Sequence, residues 1–220
     1  MPPPAPKRRT FWLIALFVIP CLLLGTWFHF GYRQVHRLEG PRLIFWASEE
    51  SDDLRFLDPK TEGVAFLAAS VDLLPDATHV QSRMHPVDLP SGIQRIAVVR
   101  IDSHADRPAS LSTGQLNEVL QTLVSATKDP NVSALQIRYD ASSSERAFYT
   151  NLLTELRRQL GPAYPISITA PASWCISDRW MRDLPINEAV PMLFSMGQEE
   201  AVIRQYLSST NTFPEPLCRG

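Results

Sequence analysis

Glycine is scarce in this sequence, and charge of one dominant sign is absent. The 9 glycines stand against 19 prolines, so the connections are stiff rather than flexible Gly/Ser linkers. The formal net charge is -2, and there is no long basic stripe and no interleaving of aromatic with basic residues. Nucleic acid therefore has no electrostatic case as a partner. Only 3 cysteines occur, without CxxC or Cys/His ligand spacing, so no zinc site is expected. No serine or cysteine lies in a recognisable nucleophile motif, and no cofactor is expected.

What is present begins with one long apolar run. Residues 2–6, PPPAP, read as a solvated tail. Lys7, Arg8 and Arg9 follow, and then Phe11 to Phe30, apolar apart from Thr26 and His29, with Trp12 and Trp27 near its ends. About 20 apolar residues cross a bilayer, and interfacial aromatics sit at the ends of such spans. No small-residue cleavage site follows the run, so it is read as an uncleaved anchor rather than a secretory signal. The expected division is a cytoplasmic tail at 1–10, a transmembrane helix at 11–30, a juxtamembrane linker at 31–41 and a folded domain at 42–220. The basic cluster before the span argues for a cytoplasmic amino terminus, while Arg33, Arg37 and Arg42 after it argue the other way. The folded domain is expected outside, because long domains translocate largely regardless of charge. Cys21 falls inside the span. Cys175 and Cys218 are then either a disulfide in an oxidising compartment or two buried free thiols.

The folded domain alternates strand and helix. Arg42–Ala47, Gly63–Val71, Arg95–Asp102, Ser133–Asp140, Pro165–Ala170 and Ala189–Phe194 read as strands, with His79–Leu89 an excursion that supplies one strand of a hairpin. Ser112 and Gln115 have capping-box spacing before the stripe Leu116, Val119, Leu120, Leu123. Ser142 and Glu145 repeat that spacing before Phe148, Leu152, Leu156, Leu160. Ser177 is expected to cap a short helix through Leu184, and Glu199–Leu207 a last one. This order predicts an α/β fold with a parallel sheet, an incomplete or small TIM-like (β/α) barrel. The six core strands fall short of the eight of a closed barrel.

The stretches FWASEE, RIAVVRID, LQIRYD followed by SERAFY, SITAPASWC and DLPINEAVPMLFSMG together resemble a bacterial domain-of-unknown-function family, number 3142. The resemblance covers nearly all of the chain beyond the anchor. With the anchor and orientation read above, the expected place is the bacterial inner membrane, single-pass, with the C-terminal domain periplasmic. The resemblance implies a bacterial protein with a barrel similar to chitinase-like glycoside hydrolase barrels. Carbohydrate is the ligand this suggests. In such barrels acids alternate along the strand that here ends at Asp140, and a proton-donating glutamate stands two positions later. This chain has Arg138 and Ser142 at the corresponding places.

Function in such folds gathers at the C-terminal ends of the strands. Asp140, Asp102 and Glu49 are the candidate catalytic acids, since glycoside hydrolysis needs two carboxyl groups. Trp46, Trp174 and Arg138 are the candidate substrate-binding residues. A competing structural role comes from alternation, which puts Arg100 with Asp102 and Arg138 with Asp140, so that neighbouring strands could neutralise one another. Two functions follow. One is an envelope glycoside-hydrolase-like domain that binds glycan with weak or no catalysis. The other is a non-enzymatic anchored scaffold for a protein partner.

Overall fold

Parallel strands that always step in the same direction are what organise this chain. The structure, a computed structural model, describes residues 40–41, 43–47, 53–194, 196, 200–210 and 212–218. The chain divides into two units, Met1–Val35 and His36–Gly220, and the described residues belong to the second. The expected tail and transmembrane helix, nearly all of the linker, and Arg42 at the start of the first strand lie outside the described residues. Among the described residues no helix is long and apolar enough to cross a membrane.

The elements are β1 (Leu43–Ala47), β2 (Glu62–Leu73), β3 (Thr78–Ser82), β4 (Gln94–Ser103), α1 (Thr113–Ala126), β5 (Val132–Tyr139), α2 (Arg146–Leu160), β6 (Ile166–Pro171), α3 (Ala172–Ile176), a 3-10 turn (Trp180–Asp183), β7 (Glu188–Met192) and α4 (Glu200–Ser209). The sheet order is β1-β2-β4-β5-β6-β7, every one of these pairs parallel. The expected excursion is β3, which folds back antiparallel on Ala69–Leu73 of β2, while β1 pairs with Glu62–Phe66. Parallel crossovers share one hand, so strands added in one direction put their helices on one face. The other face becomes the concave side of a half-barrel. That distinguishes it from a doubly wound sheet, which reverses direction and covers both faces.

The convex face carries the core. Val99 and Ile101 of β4, Leu135, Ile137 and Tyr139 of β5, and Ile166 and Ile168 of β6 meet Leu116, Val119 and Leu123 of α1 and Leu152, Leu153 and Leu156 of α2. Each such side chain contributes about 1.5–3 kcal/mol by leaving water. The two capping boxes differ. At α1 both reciprocal bonds form, and the Gln115 amide also donates to the Leu74 and Ala77 carbonyls at 2.6 and 2.9 Å. At α2 only half forms: the Ser142 backbone N–H donates to Glu145 at 2.7 Å, while the Ser142 hydroxyl lies against Ser144. The helix therefore starts at Arg146.

The β6–β7 connection departs from expectation. Ser177 ends α3 rather than starting a helix, and its hydroxyl donates back to the Ser173 carbonyl. The reason is that the chain turns into α3 directly after β6, where Cys175 bonds to Cys218. This disulfide draws the tail along β7: Cys218 bridges Ala189, whose N–H donates to Leu217. An otherwise open sheet edge is thereby covered. Breaking the bond, which spans 43 residues, costs about 4 kcal/mol in the chain-entropy picture. Cys175→Ala with Cys218→Ala should melt roughly 8–16 °C below the parent. An unchanged melting temperature would show that the tail is held without the bond.

Candidate functional site

Register decides which residues meet on the concave face. Ser70 pairs with Arg100 and Asp72 with Asp102 across β2 and β4. Arg100 pairs with Arg138 across β4 and β5, and Ile101 with Tyr139. Asp140 follows at once, so Asp72, Asp102 and Asp140 end three adjacent strands at one rim. Adjacent strands are about 4.8 Å apart. Below this row lie Ser70, Arg100 and Arg138, and below that Val98, Gln136, Ser167 and Glu188.

Like charges directly opposite one another are destabilising, and each acid answers this differently. Asp102 accepts a hydrogen bond from Arg100 Nε at 2.8 Å. Asp72 Oδ1 lies 2.7 Å from His104 Nε2. Asp140 closes no salt bridge among the described residues. Burial pushes its carboxyl above the ordinary value; nearby Arg138 pulls it down and Asp102 pushes it further up. Of the two neutralising pairs expected, Arg100–Asp102 forms, while Arg138 and Asp140 feel each other only through space. The Arg100 and Asp102 side chains are 36% and 45% exposed, so their pair is of the surface kind, worth at most about 1 kcal/mol.

Behind the rim, Tyr139 and Tyr149 are buried with ring centroids 5.1 Å apart. Desolvation holds both hydroxyls protonated, well above the ordinary tyrosine value. The Tyr139 hydroxyl approaches Ser103 and Glu145 without closing a well-formed bond. At Glu145, burial acts to raise the carboxyl but is outweighed by hydrogen bonding from Ser103 and Ser142, with a smaller contribution from the approaching Tyr139 hydroxyl, and the net shift is downward.

Asp102, Asp140 and Arg138 come together at this rim as expected. Glu49 lies outside the described residues. The two tryptophans do not join the site. Trp174 is only 6% exposed and packs edge-on against Trp180 at 4.8 Å, with the Arg146 guanidinium over both rings and paired to Asp178. It is a core residue, because α3 begins immediately after β6 and turns the ring inward. Trp46 is exposed, but its register partner is Ala65, level with Ile96. That is six residues before Asp102, about 20 Å down the strand.

The aromatic at the rim is instead Phe194, two residues beyond β7 and 83% exposed. Asp72 and His104 also belong here. Asp72 had a readable signal: Val71-Asp72, Ile101-Asp102 and Tyr139-Asp140 repeat one apolar–Asp ending on three strands. His104 pairs with Asp72 across 32 residues rather than with nearby Asp106, which only the fold reveals. A second cleft, about 540 Å³ between β3 and α1, is lined by Thr78, Val80, Glu118 and Thr122 among others. Its lining has a single carboxylate and no group to work with it.

The raised Asp140 carboxyl fixes the sign of a pH effect. A folded value above the unfolded one contributes stability below the ordinary carboxylate range, and that contribution is lost as pH rises through the raised value. Asp140→Asn should therefore melt higher than the parent at pH 7, with the gap closing toward about pH 3. Asp102→Asn, which breaks the exposed pair, should cost no more than about 1 kcal/mol at pH 7. Thermal melts at the two pH values check both; a lower melting temperature for Asp140→Asn at pH 7 would mean its carboxylate is stabilised, not strained.

No family model and no curated protein matches this sequence. Among solved structures, the fold is similar to a putative chitinase A from Streptomyces coelicolor, with a TM-score of 0.50 and 10% identity. The match covers 71% of this chain and 61% of that one. It is also similar to a fungal endo-β-N-acetylglucosaminidase of glycosyl hydrolase family 18, with a TM-score of 0.50, 14% identity, and coverage of 79% and 75%. This chain thus spans about three fifths of the chitinase's length. At these identities the likeness concerns fold alone, and the fold is an α/β half-barrel similar to part of those two barrels.

Proposed function

We propose that this protein is a membrane-anchored envelope protein of bacteria, with the half-barrel on the periplasmic side binding glycan at its acidic rim. The observation that carries this reading is the row Asp72, Asp102, Asp140, three neighbouring carboxylates in three electrostatic settings, with Phe194 exposed on the same rim. Carboxylates and hydroxyl-bearing sugars hydrogen-bond readily, and an exposed ring offers an apolar face. The Cys175–Cys218 bond supports an oxidising compartment. The basic cluster before residues 11–30 supports the orientation.

Catalysis on this reading is weak or absent. Glycoside hydrolysis needs two carboxyl groups that act together. Of the rim acids Asp140, whose carboxyl burial raises, is the one that favours holding a proton, while Asp102 and Asp72 are engaged by Arg100 and His104. Ser142, however, stands where similar barrels carry their proton donor, and it has no carboxyl. Glu145, the next acid, is tied to Ser142 and Ser103. An anchored scaffold that binds a protein partner is the second reading, favoured by the exposed Leu193, Phe194 and Val202 near the end of β7 and on α4.

Calorimetric titration of the detergent-solubilised full chain with N-acetylglucosamine oligomers tests the first reading. Binding should be measurable, and Phe194→Ala should weaken it roughly three- to tenfold, the range of one lost aromatic contact, with the melting temperature unchanged. If no neutral or acidic glycan binds, the rim is not a glycan site, and the scaffold reading stands.

A further inference from the structure

Beneath the acid row, one positive charge closes no direct ion pair among the described residues and feels Asp140 only through space. Arg100 and Arg138 stand directly opposite each other on β4 and β5, a like-charge pair that opposes folding. Arg100 is answered by Asp102 at 2.8 Å. Arg138, partly buried, donates no hydrogen bond and closes no salt bridge among the described residues. Local conflicts of this kind, kept where an apolar or neutral residue would fold as well, mark functional positions.

Two further groups on the same face have no hydrogen-bond partner among the described residues. Gln136, two residues before Arg138, is 5% exposed; its amide donates to Ser167 at 3.1 Å, but its Oε1 accepts nothing from the described residues. Thr169 of β6 is 3% exposed, and its hydroxyl meets no partner among them. Buried polar atoms without partners are costly, about 1–3 kcal/mol each. The ladder between β5 and β6 ends at Ile137–Ile168, although both strands continue. Arg138 and Thr169 come next on the two strands, on the concave face, where backbone pairing has ceased.

We propose that Arg138, with the Thr169 hydroxyl and the Gln136 amide oxygen, forms a subsite for the carboxylate of an acidic sugar. The inference rests on the glycan reading and narrows it to carboxylated glycans. The planar guanidinium matches a two-oxygen carboxylate, the threonine hydroxyl donates to the same anion, and the Gln136 oxygen accepts from a hydroxyl or acylamino N–H on the ring. A group with a single charge on the ring it belongs to is preferred over a doubly charged one such as phosphate, because Asp72, Asp102 and Asp140 lie within the same rim and repel the latter more strongly. Engaging Arg138 with a ligand also removes its downward pull on Asp140, so an acidic sugar favours the protonated acid beside it.

The test compares two probes on the full chain in detergent. One is a tetrasaccharide of N-acetylated sugars in which alternate rings carry a lactyl ether carboxylate. The other is the same compound with those carboxyl groups reduced to alcohols. The acidic form should bind about tenfold or more tighter, and the preference should collapse to about twofold or less in Arg138→Gln and in Thr169→Val, while Arg138→Lys keeps part of it. Thr169→Val changes one hydroxyl only, so it carries the test if Arg138→Gln fails to fold. Equal affinity for the two probes, or a preference that survives Thr169→Val and Arg138→Gln, overturns the subsite but leaves the glycan reading intact. Binding of neither probe overturns both.

Discussion

The structure depends on one constraint: parallel strands wound in a single direction bring all their C-terminal ends to one rim. A residue that closes a strand therefore meets the residues that close its neighbours, however far apart they lie in sequence. Asp72, Asp102 and Asp140 are separated by 30 and 38 positions, yet the register sets the first two side by side and the third one strand further on. Helices confined to the convex face leave the concave face free for polar groups. The site is a consequence of the winding, not an addition to it.

Much of this was legible from periodicity. The core strands follow from their apolar residues, which recur at alternate positions toward the helices in the second halves of β4 and β5. The α1 capping box was visible in Ser112 and Gln115. The failures have physical causes. Ser142 and Glu145 have the spacing of a box, but Glu145 is drawn toward Ser103 and Tyr139, contacts made across the sheet. Ser177 looked like a start because nothing local reveals that α3 begins straight after β6.

The site was legible in part. Asp102 and Asp140 could be placed because each ends a strand. The tryptophans could not, since an aromatic serves core and ligand equally well, and only packing separates Trp174 from Phe194. Arg157 shows the same limit elsewhere. It reads as a surface residue of α2 but is buried, donating to the Tyr164 and Pro185 carbonyls at 2.6 and 2.9 Å and to Asn187 at 2.7 Å. Asn187 in turn accepts the Ile166 N–H, so one guanidinium ties the end of α2 to β6 and to the residue before β7. Long-range hydrogen bonds of this kind leave no periodic trace.

The claim on which the rest turns is that the three rim acids are electrostatically unlike, with Asp140 the strained member. Carbon-13 NMR titration of the Asp140 carboxyl reads this directly. A midpoint above the ordinary aspartate value of about 3.9 is expected, moving higher still in Arg138→Gln and lower in Asp102→Asn. A midpoint at or below the ordinary value, indifferent to both substitutions, would contradict it and leave the rim a row of independent surface acids.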